Sequence, residues 1–373
     1  MKGLIKIIFF LLLIKSSAQI KTNLTIETST GYEYNIFKSP ISFLDNGVLK
    51  GKNELYKNSL FQEGSIRFLA KKKWKKQSFS FRFNSKGINY FSEKKSNYFT
   101  FLPGLRYINK LNKKTIWRVD SWYKIKNREG ENVDGSELNF PLGNNHFGLA
   151  TSLDFRLYKQ NRSVFKVVYG NRDYKKSNGS DLSYNAIGVT TVIRNVFKRK
   201  AGWHSYGIVG GFTNKFFQQK NLTTNVTAKF NWKDMSATLF YRYPITKKLY
   251  LKPSFEYKTR IDSNKDKFSY TQLKPSLNLA YKNNKMTLGL TGSYSNRTYK
   301  ALIATDNSWN KLGELNYQYF QLKLGVERKF NKKFSITASG FLNNRTSNKT
   351  NTKSMYFRAY SYYNLCVGFK YRF

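Results

Sequence analysis

The feature that most constrains this chain is a two-residue alternation of apolar and polar side chains that recurs from one end to the other. Met286, Leu288, Leu290, Gly292 and Tyr294 fall at one parity, with Thr287, Gly289, Thr291, Ser293 and Ser295 at the other. Successive side chains of a strand point to opposite faces, so such a segment has one greasy and one polar face. Leu249, Leu251, Pro253, Phe255 and Tyr257 oppose Tyr250, Lys252, Ser254, Glu256 and Lys258 in the same way. Phe334, Ile336, Ala338 and Gly340 oppose Ser335, Thr337 and Ser339, and Val226, Ala228, Phe230 and Trp232 are set against Thr227, Lys229 and Asn231.

Seventeen segments read as strands: 24–37, 59–70, 76–90, 97–109, 115–126, 146–158, 163–173, 183–196, 203–215, 221–232, 235–243, 249–260, 270–281, 285–296, 315–329, 333–344 and 355–373. A closed single-chain bacterial barrel takes an even number, so one is surplus. The two candidates are 24–37, as a periplasmic lead-in, and the short 235–243. The expected fold is all-β: one transmembrane antiparallel β-barrel of sixteen strands, with fourteen as second choice. Tight turns such as Lys282-Asn283-Asn284-Lys285 and Asn331-Lys332-Lys333 alternate with longer connections, 261–269, 297–314 and 344–354, placed outside the cell. That alternation becomes ambiguous around 197–220. Segments 38–57 and 127–145 read as surface loops or as pieces folded into the lumen. Pro253 and Pro275, inside strand segments, call for bulges or strand ends.

Composition separates this reading from its rivals. The chain is 17% aromatic, yet its mean hydropathy is −0.59. Disordered chains lack the aromatics, and helical membrane proteins are not this hydrophilic. A barrel needs apolar residues only at alternate positions; a two-sheet soluble sandwich would alternate too, but with fewer long strands and fewer aromatics. The formal charge of +45 favours polyanionic partners: anionic lipid, lipopolysaccharide or nucleic acid. An export signal argues against nucleic acid. Lys2 and Lys6 precede an apolar run from Ile7 to Ile14, and Ser16 and Ala18 stand at the −3 and −1 positions for cleavage after Ala18. The run is too short to span a bilayer. Residues 1–18 are therefore a cleaved signal peptide and 19–373 the barrel. Cys366, the single cysteine, forms no internal disulfide.

The chain ends on an alternating segment in which Tyr363, Leu365, Val367, Phe369, Tyr371 and Phe373 share one face. With the signal peptide and the repeated strands, this segment resembles the terminal strand of porin-like bacterial outer-membrane β-barrel proteins. Its alternating aromatics and final Phe resemble the signal read by the barrel-assembly machinery. The Lys, Asn and Tyr richness is similar to that of Bacteroidota proteins of this kind, with no functional subfamily matched. The resemblance implies an outer-membrane location, with lipid, lipopolysaccharide and the assembly machinery as partners.

Chemistry is sparse. His146 and His204 have no cysteine or tight acidic cluster beside them, so neither a metal site nor any cofactor is implied. His204 with Ser183 or Ser205 is the one pair from which a hydrolytic site could be built, although Ser205 points to the opposite face. Glu129, Glu131, Asp134 and Glu137 form an acidic patch in a loop, read as solvated. Trp117, Trp122, Trp203, Trp232 and Trp309 are placed in the interfacial girdles. The inward faces carry more information: Lys229, Arg242, Lys252, Glu256, Lys258, Lys323, Glu327, Lys370 and Arg372 alternate with the lipid-facing positions. Charge facing a wet lumen is tolerated and tunes selectivity. The lysine clusters Lys71–Lys73, Lys75-Lys76, Lys113-Lys114 and Lys198–Lys200 lie in turns, facing anionic head groups, lipopolysaccharide or solvent. These residues point to a channel for small anionic or polar solutes. The rivals are a non-conducting accessory barrel of an envelope or secretion complex, with proteins of that complex as partners, and an outer-membrane lipid-modifying enzyme.

Overall fold

The computed structural model describes residues 20–45, 47–129, 143–158, 160–174, 183–220, 227–354 and 356–373. Its strands are β1 (Lys21–Tyr34), β2 (Ser42–Asp45), β3 (Val48–Gly51), β4 (Ser59–Lys73), β5 (Gln77–Tyr90), β6 (Tyr98–Lys110), β7 (Thr115–Arg128), β8 (Asn144–Phe155), β9 (Asn161–Tyr174), β10 (Tyr184–Arg199), β11 (Gly202–Lys220), β12 (Thr227–Pro244), β13 (Leu249–Asp262), β14 (Tyr270–Lys282), β15 (Met286–Thr305), β16 (Lys311–Lys329), β17 (Phe334–Ser347) and β18 (Tyr360–Arg372). Sixteen of them close into one antiparallel barrel; β2 and β3 pair only with each other, as a hairpin in the β1–β4 connection.

Closure rests on β1, which pairs with β4 over Lys21–Glu33 and with β18 over Thr25–Tyr34. The segment 24–37 thus supplies a barrel strand and is not a periplasmic lead-in. The seventeenth segment disappears elsewhere: 227–232 and 235–243 belong to one strand, β12, which runs unbroken through Lys233 and Asp234, while 221–226 lie outside the described residues. The signal segment 1–18 lies outside the described residues.

At one end the strands are joined by short connections: 74–76, 111–114, 156–160, 200–201, 245–248, 283–285 and 330–333. The region around 197–220 turns at Lys200-Ala201, where Gly202 takes φ +140°. That angle favours a residue without a Cβ. Short turns mark the periplasmic rim in this architecture. At the outer rim, β15 and β16 rise so far that the connection read as 297–314 shrinks to 306–310. Hydrogen bonds from Asn310, and from the Ser308 backbone, hold the Asp306 carboxyl below its usual range there. Within 38–57, Ile41 N donates to Ala359 O (2.8 Å) and Leu44 N to Thr352 O (3.4 Å). Ile36, just before it, packs inside the wall against Phe61, Ile88 and Tyr90. This stretch is bound to the β17–β18 connection at the outer mouth.

Pro253 and Pro275 mark neither bulges nor strand ends. The β12–β13 ladder passes from Phe240/Ser254 to Tyr243/Leu251, and the β14–β15 ladder from Leu273/Asn296 to Ser276/Ser293, each resuming in the same register. Each proline forfeits a local bond without shifting its neighbours. The irregularity that does occur lies in β15, between Tyr299 and Thr305. The outward column is apolar around the barrel, with Leu149, Ile187, Leu239, Phe255, Leu277 and Val367 all exposed. Surface of this kind needs lipid to cover it.

The β1 seam supplies a test. A Cβ at Gly31 would fall on the Leu365 carbonyl oxygen and the Phe61 ring, whereas one at Gly64 meets nothing within 4 Å. Gly31→Val should therefore destabilise the barrel by roughly 1–3 kcal/mol, read as a lower urea midpoint for loss of the heat-modifiable folded band. Gly64→Val should leave that midpoint in place.

Candidate functional site: the charged lumen

Cross-strand register fixes which side chains enter the lumen. Phe255, Leu277 and Leu290 face lipid, so Glu256, Lys258, Lys274 and Thr291, at the other parity, face inward. A cavity of about 810 Å³ lies inside the wall between β1, β4, β5 and β15–β18, lined by Glu27, Glu63, Lys86, Lys323, Cys366 and Lys370 among others.

The periplasmic half of the lumen is neutralised by ion pairs. Arg106 bonds Asp120. Asp154, with its side chain 4% exposed, takes Arg118 at 2.7 Å and also Arg162. Glu327 takes Lys370 at 2.8 Å and Arg372 at 2.5 Å, and Lys370 lies 3.8 Å from Glu27. Carboxylates bound twice, as Asp154 and Glu327 are, fix neighbouring strands to one another.

The outer half is built differently. Here cations lie over aromatic faces: Arg172 over Tyr184 (5.5 Å), Arg260 over Trp232 (4.2 Å), Arg297 over Tyr270 (4.6 Å) and Arg345 over Tyr360 (4.4 Å). Lys126 and Arg128 both lie 5.7 Å from the Tyr98 ring. Asp234 pairs with Lys215 (3.2 Å) and Arg260 (2.8 Å), and Glu63 with Lys86 (2.7 Å). Glu33 is spent on the hydroxyls of Tyr90 (2.7 Å) and Tyr362 (2.8 Å). Among the described residues, Lys124, Lys126, Arg128, Arg172, Lys258, Arg297 and Arg345 form no carboxylate ion pair. A ring face orients a cation without cancelling its charge. The outer lumen is thus lined by positioned positive charge.

Of the residues singled out from sequence, Arg242, Lys252, Glu256, Lys258, Lys323, Glu327, Lys370 and Arg372 stand in the inward columns. Arg242 lies 4.1 Å from the Tyr250 ring and Lys252 4.7 Å from Phe240. Lys229 does not join them. In β12 it shares the outward parity of Met235 and Leu239, and Phe230 and Trp232 take the inward places. The reason is visible in the packing: Phe230 stacks on Phe217 (4.8 Å), and Trp232 supports Arg260. Arg172, Arg297, Arg345 and their tyrosines were missed from sequence. Their signal was a cation and an aromatic at the same parity near the outer end of neighbouring strands.

The tryptophans also divide. Trp117 faces outward, donating to Thr151 Oγ1 (2.9 Å) beside Tyr107. Trp122 and Trp232 face the lumen, Trp203 stands in an inward column at the periplasmic rim, and Trp309 sits in the 306–310 connection. The indole of Trp122 occupies the room a Gly148 side chain would take. His204 is buried on the outward face of the wall near the periplasmic rim, stacked on Phe197 (5.0 Å) and hydrogen-bonded through Nδ1 to the Tyr241 hydroxyl (2.8 Å). Ser205 faces the lumen, while Ser183 lies at the far end of the β10–β11 pair and donates to Asp173 (3.1 Å). The pair imagined for a hydrolytic site is not formed. No metal-holding cluster occurs among the described residues, and Glu131, Asp134 and Glu137 lie outside them. Leu365, Val367, Phe369, Tyr371 and Phe373 form an exposed outward column on and just beyond β18, with Tyr363 stacked on Tyr34 at its outer end (4.8 Å).

Asp154→Asn would leave Arg118 and Arg162 facing each other without their shared carboxylate. The folded barrel should lose about 3 kcal/mol in urea unfolding, and Thr151→Ala, one face over, should cost far less.

The sequence matches no protein-family model and no curated protein. Solved structures do resemble the fold. Acinetobacter baumannii OccAB1 superposes with a TM-score of 0.50 at 8% identity, over 94% of this chain and 96% of that one. OccAB3 of the same species gives 0.48 at 9% identity, over 95% and 100%. OmpT of Vibrio cholerae, described as outer-membrane expressed, gives 0.45 at 11%, over 97% and 99%. Identities this low speak to fold alone. The closed ring of sixteen strands, its apolar outer belt and its charged interior make the chain a multi-pass β-barrel of the bacterial outer membrane.

Proposed function

We propose that the barrel is a porin-like channel for small anionic or polar solutes, selecting by electrostatics with no bond chemistry. One observation carries this reading: the outer lumen holds Arg172, Arg297 and Arg345 on aromatic faces with no carboxylate partner among the described residues, whereas the lower cations around Asp154 and Glu327 are consumed in ion pairs. Fixed positive charge in a narrow wet passage concentrates anions and repels cations. On this reading Lys252, Lys258 and Lys323 extend the positive track inward, and Arg242 extends it toward the periplasmic mouth. The outward column from Tyr363 to Phe373 serves as the segment read by the assembly machinery, and lipopolysaccharide meets the outer rim.

A second reading, an accessory barrel of an envelope complex, draws support from the β2–β3 hairpin. Val48 and Leu49 are 63% and 58% exposed at its tip, beyond the wall. Apolar residues presented there suit a protein partner.

Cys366 provides the test, because its thiol stands in the lumen wall 3.1 Å from Ser339 Oγ. An anionic methanethiosulfonate should modify it about tenfold faster, relative to a free thiol, than a cationic one. Modification should also reduce single-channel conductance. The ratio should fall in an Arg172→Gln, Arg297→Gln double variant. Equal rates for the two reagents, or a faster cation, would overturn the anion path.

A further inference from the structure

The periplasmic rim carries a charge pattern that the lumen does not explain. Its seven connections, five of them extended by one to four flanking strand residues, span 71–77, 110–114, 156–160, 198–201, 245–248, 282–285 and 329–333. Nineteen described Lys and Arg side chains fall there, six of them (Lys71, Lys73, Lys110, Lys198, Lys282 and Lys329) at the ends of inward columns and the other thirteen in turns or on the outward face, and no Asp or Glu. The chain as a whole has 66 basic and 21 acidic residues, so the absence of acid departs from its own composition. The outer connections differ: their eleven described Lys and Arg residues are accompanied by Asp45, Glu54, Glu93, Glu129, Asp266 and Asp306.

None of the nineteen forms an ion pair among the described residues. Every one of the seven connections contributes, so the charge runs right round the barrel. Aromatics stand beside it: Lys72 lies over Trp74 (5.5 Å), Arg328 over Phe330 (5.8 Å), and Phe330 packs on Phe334. Such pairs put a ring at the hydrocarbon edge and an ammonium or guanidinium among the head groups above it.

We infer that this rim is a collar for anionic phospholipid head groups in the periplasmic leaflet. A protein partner would occupy one sector and leave the remaining turns with no selection for charge. A leaflet meets all of them at once, and it offers the phosphate oxyanions that lysine clusters attract. The sequence left lipopolysaccharide as another occupant for Lys71–Lys73, Lys75-Lys76, Lys113-Lys114 and Lys198–Lys200. All four clusters lie on the short-turn side, facing the leaflet opposite to lipopolysaccharide. The collar does not depend on whether the lumen conducts.

The test is lipid selectivity of the folded, full-length protein in vesicles, with spin-labelled phosphatidylglycerol and phosphatidylcholine compared for their motionally restricted fractions. The collar predicts an association preference of about fivefold or more for phosphatidylglycerol in low salt, shrinking as salt rises. Lys75, Lys76, Lys113, Lys114, Lys332 and Lys333→Gln together should remove most of it. Glutamine at Lys265, Lys267 and Lys353, on the outer rim, should leave it in place. Equal association of the two lipids with the wild-type protein would overturn the inference. So would a preference that survives the inner-rim substitutions and disappears with the outer ones.

Discussion

Everything in this molecule depends on the absence of a free strand edge. In hydrocarbon an unpaired backbone N–H or C=O costs several kcal/mol, so a sheet spans a membrane only when closed. Closure here is made by β1 lying between β18 and β4, which joins the first described strand to the last. Once the ring is shut, the register of each strand is fixed by its neighbours, and a one-residue slip would turn charges toward lipid. The inward columns of lysine, arginine and tyrosine are therefore a consequence of closure as much as of local sequence.

The two halves of the lumen use their cations differently. Near the periplasm Asp154 and Glu327 each draw two basic side chains together, binding the wall across strands. Toward the outside, tyrosines hold Arg172, Arg297 and Arg345, whose charge is not cancelled by a carboxylate among the described residues. A positive outer lumen and a basic inner rim then flank a neutralised zone. The first suits dissolved anions and the second suits a leaflet of phosphates.

How much of this was legible in the sequence follows from how cleanly each strand separates its two faces. In β13 the column Leu249, Leu251, Pro253, Phe255 and Tyr257 alternates with Tyr250, Lys252, Ser254, Glu256 and Lys258, and the register keeps the two sets on opposite faces. β12 misled because Phe230 and Trp232 were assigned to lipid, as aromatics in a barrel commonly are. They face inward, where each meets another ring or an arginine, and no local pattern records that partner. The sequence also reads as two segments either side of Lys233-Asp234, whereas in β12 Asp234 is inward and bound while Lys233 faces outward. Trp122 escaped for a similar reason, since the room for it is made by Gly148 on the next strand. Composition announced the basic character of the chain. Only the fold separates rim charge from lumen charge.

The central claim is that unneutralised cations of the outer lumen select for anions. The most direct measurement is the reversal potential of single channels of the wild-type protein in a planar bilayer across a tenfold potassium chloride gradient. The account predicts discrete conductance steps with a reversal potential displaced toward the chloride equilibrium potential. Displacement toward the potassium equilibrium potential, or a folded barrel that passes no current, would contradict it.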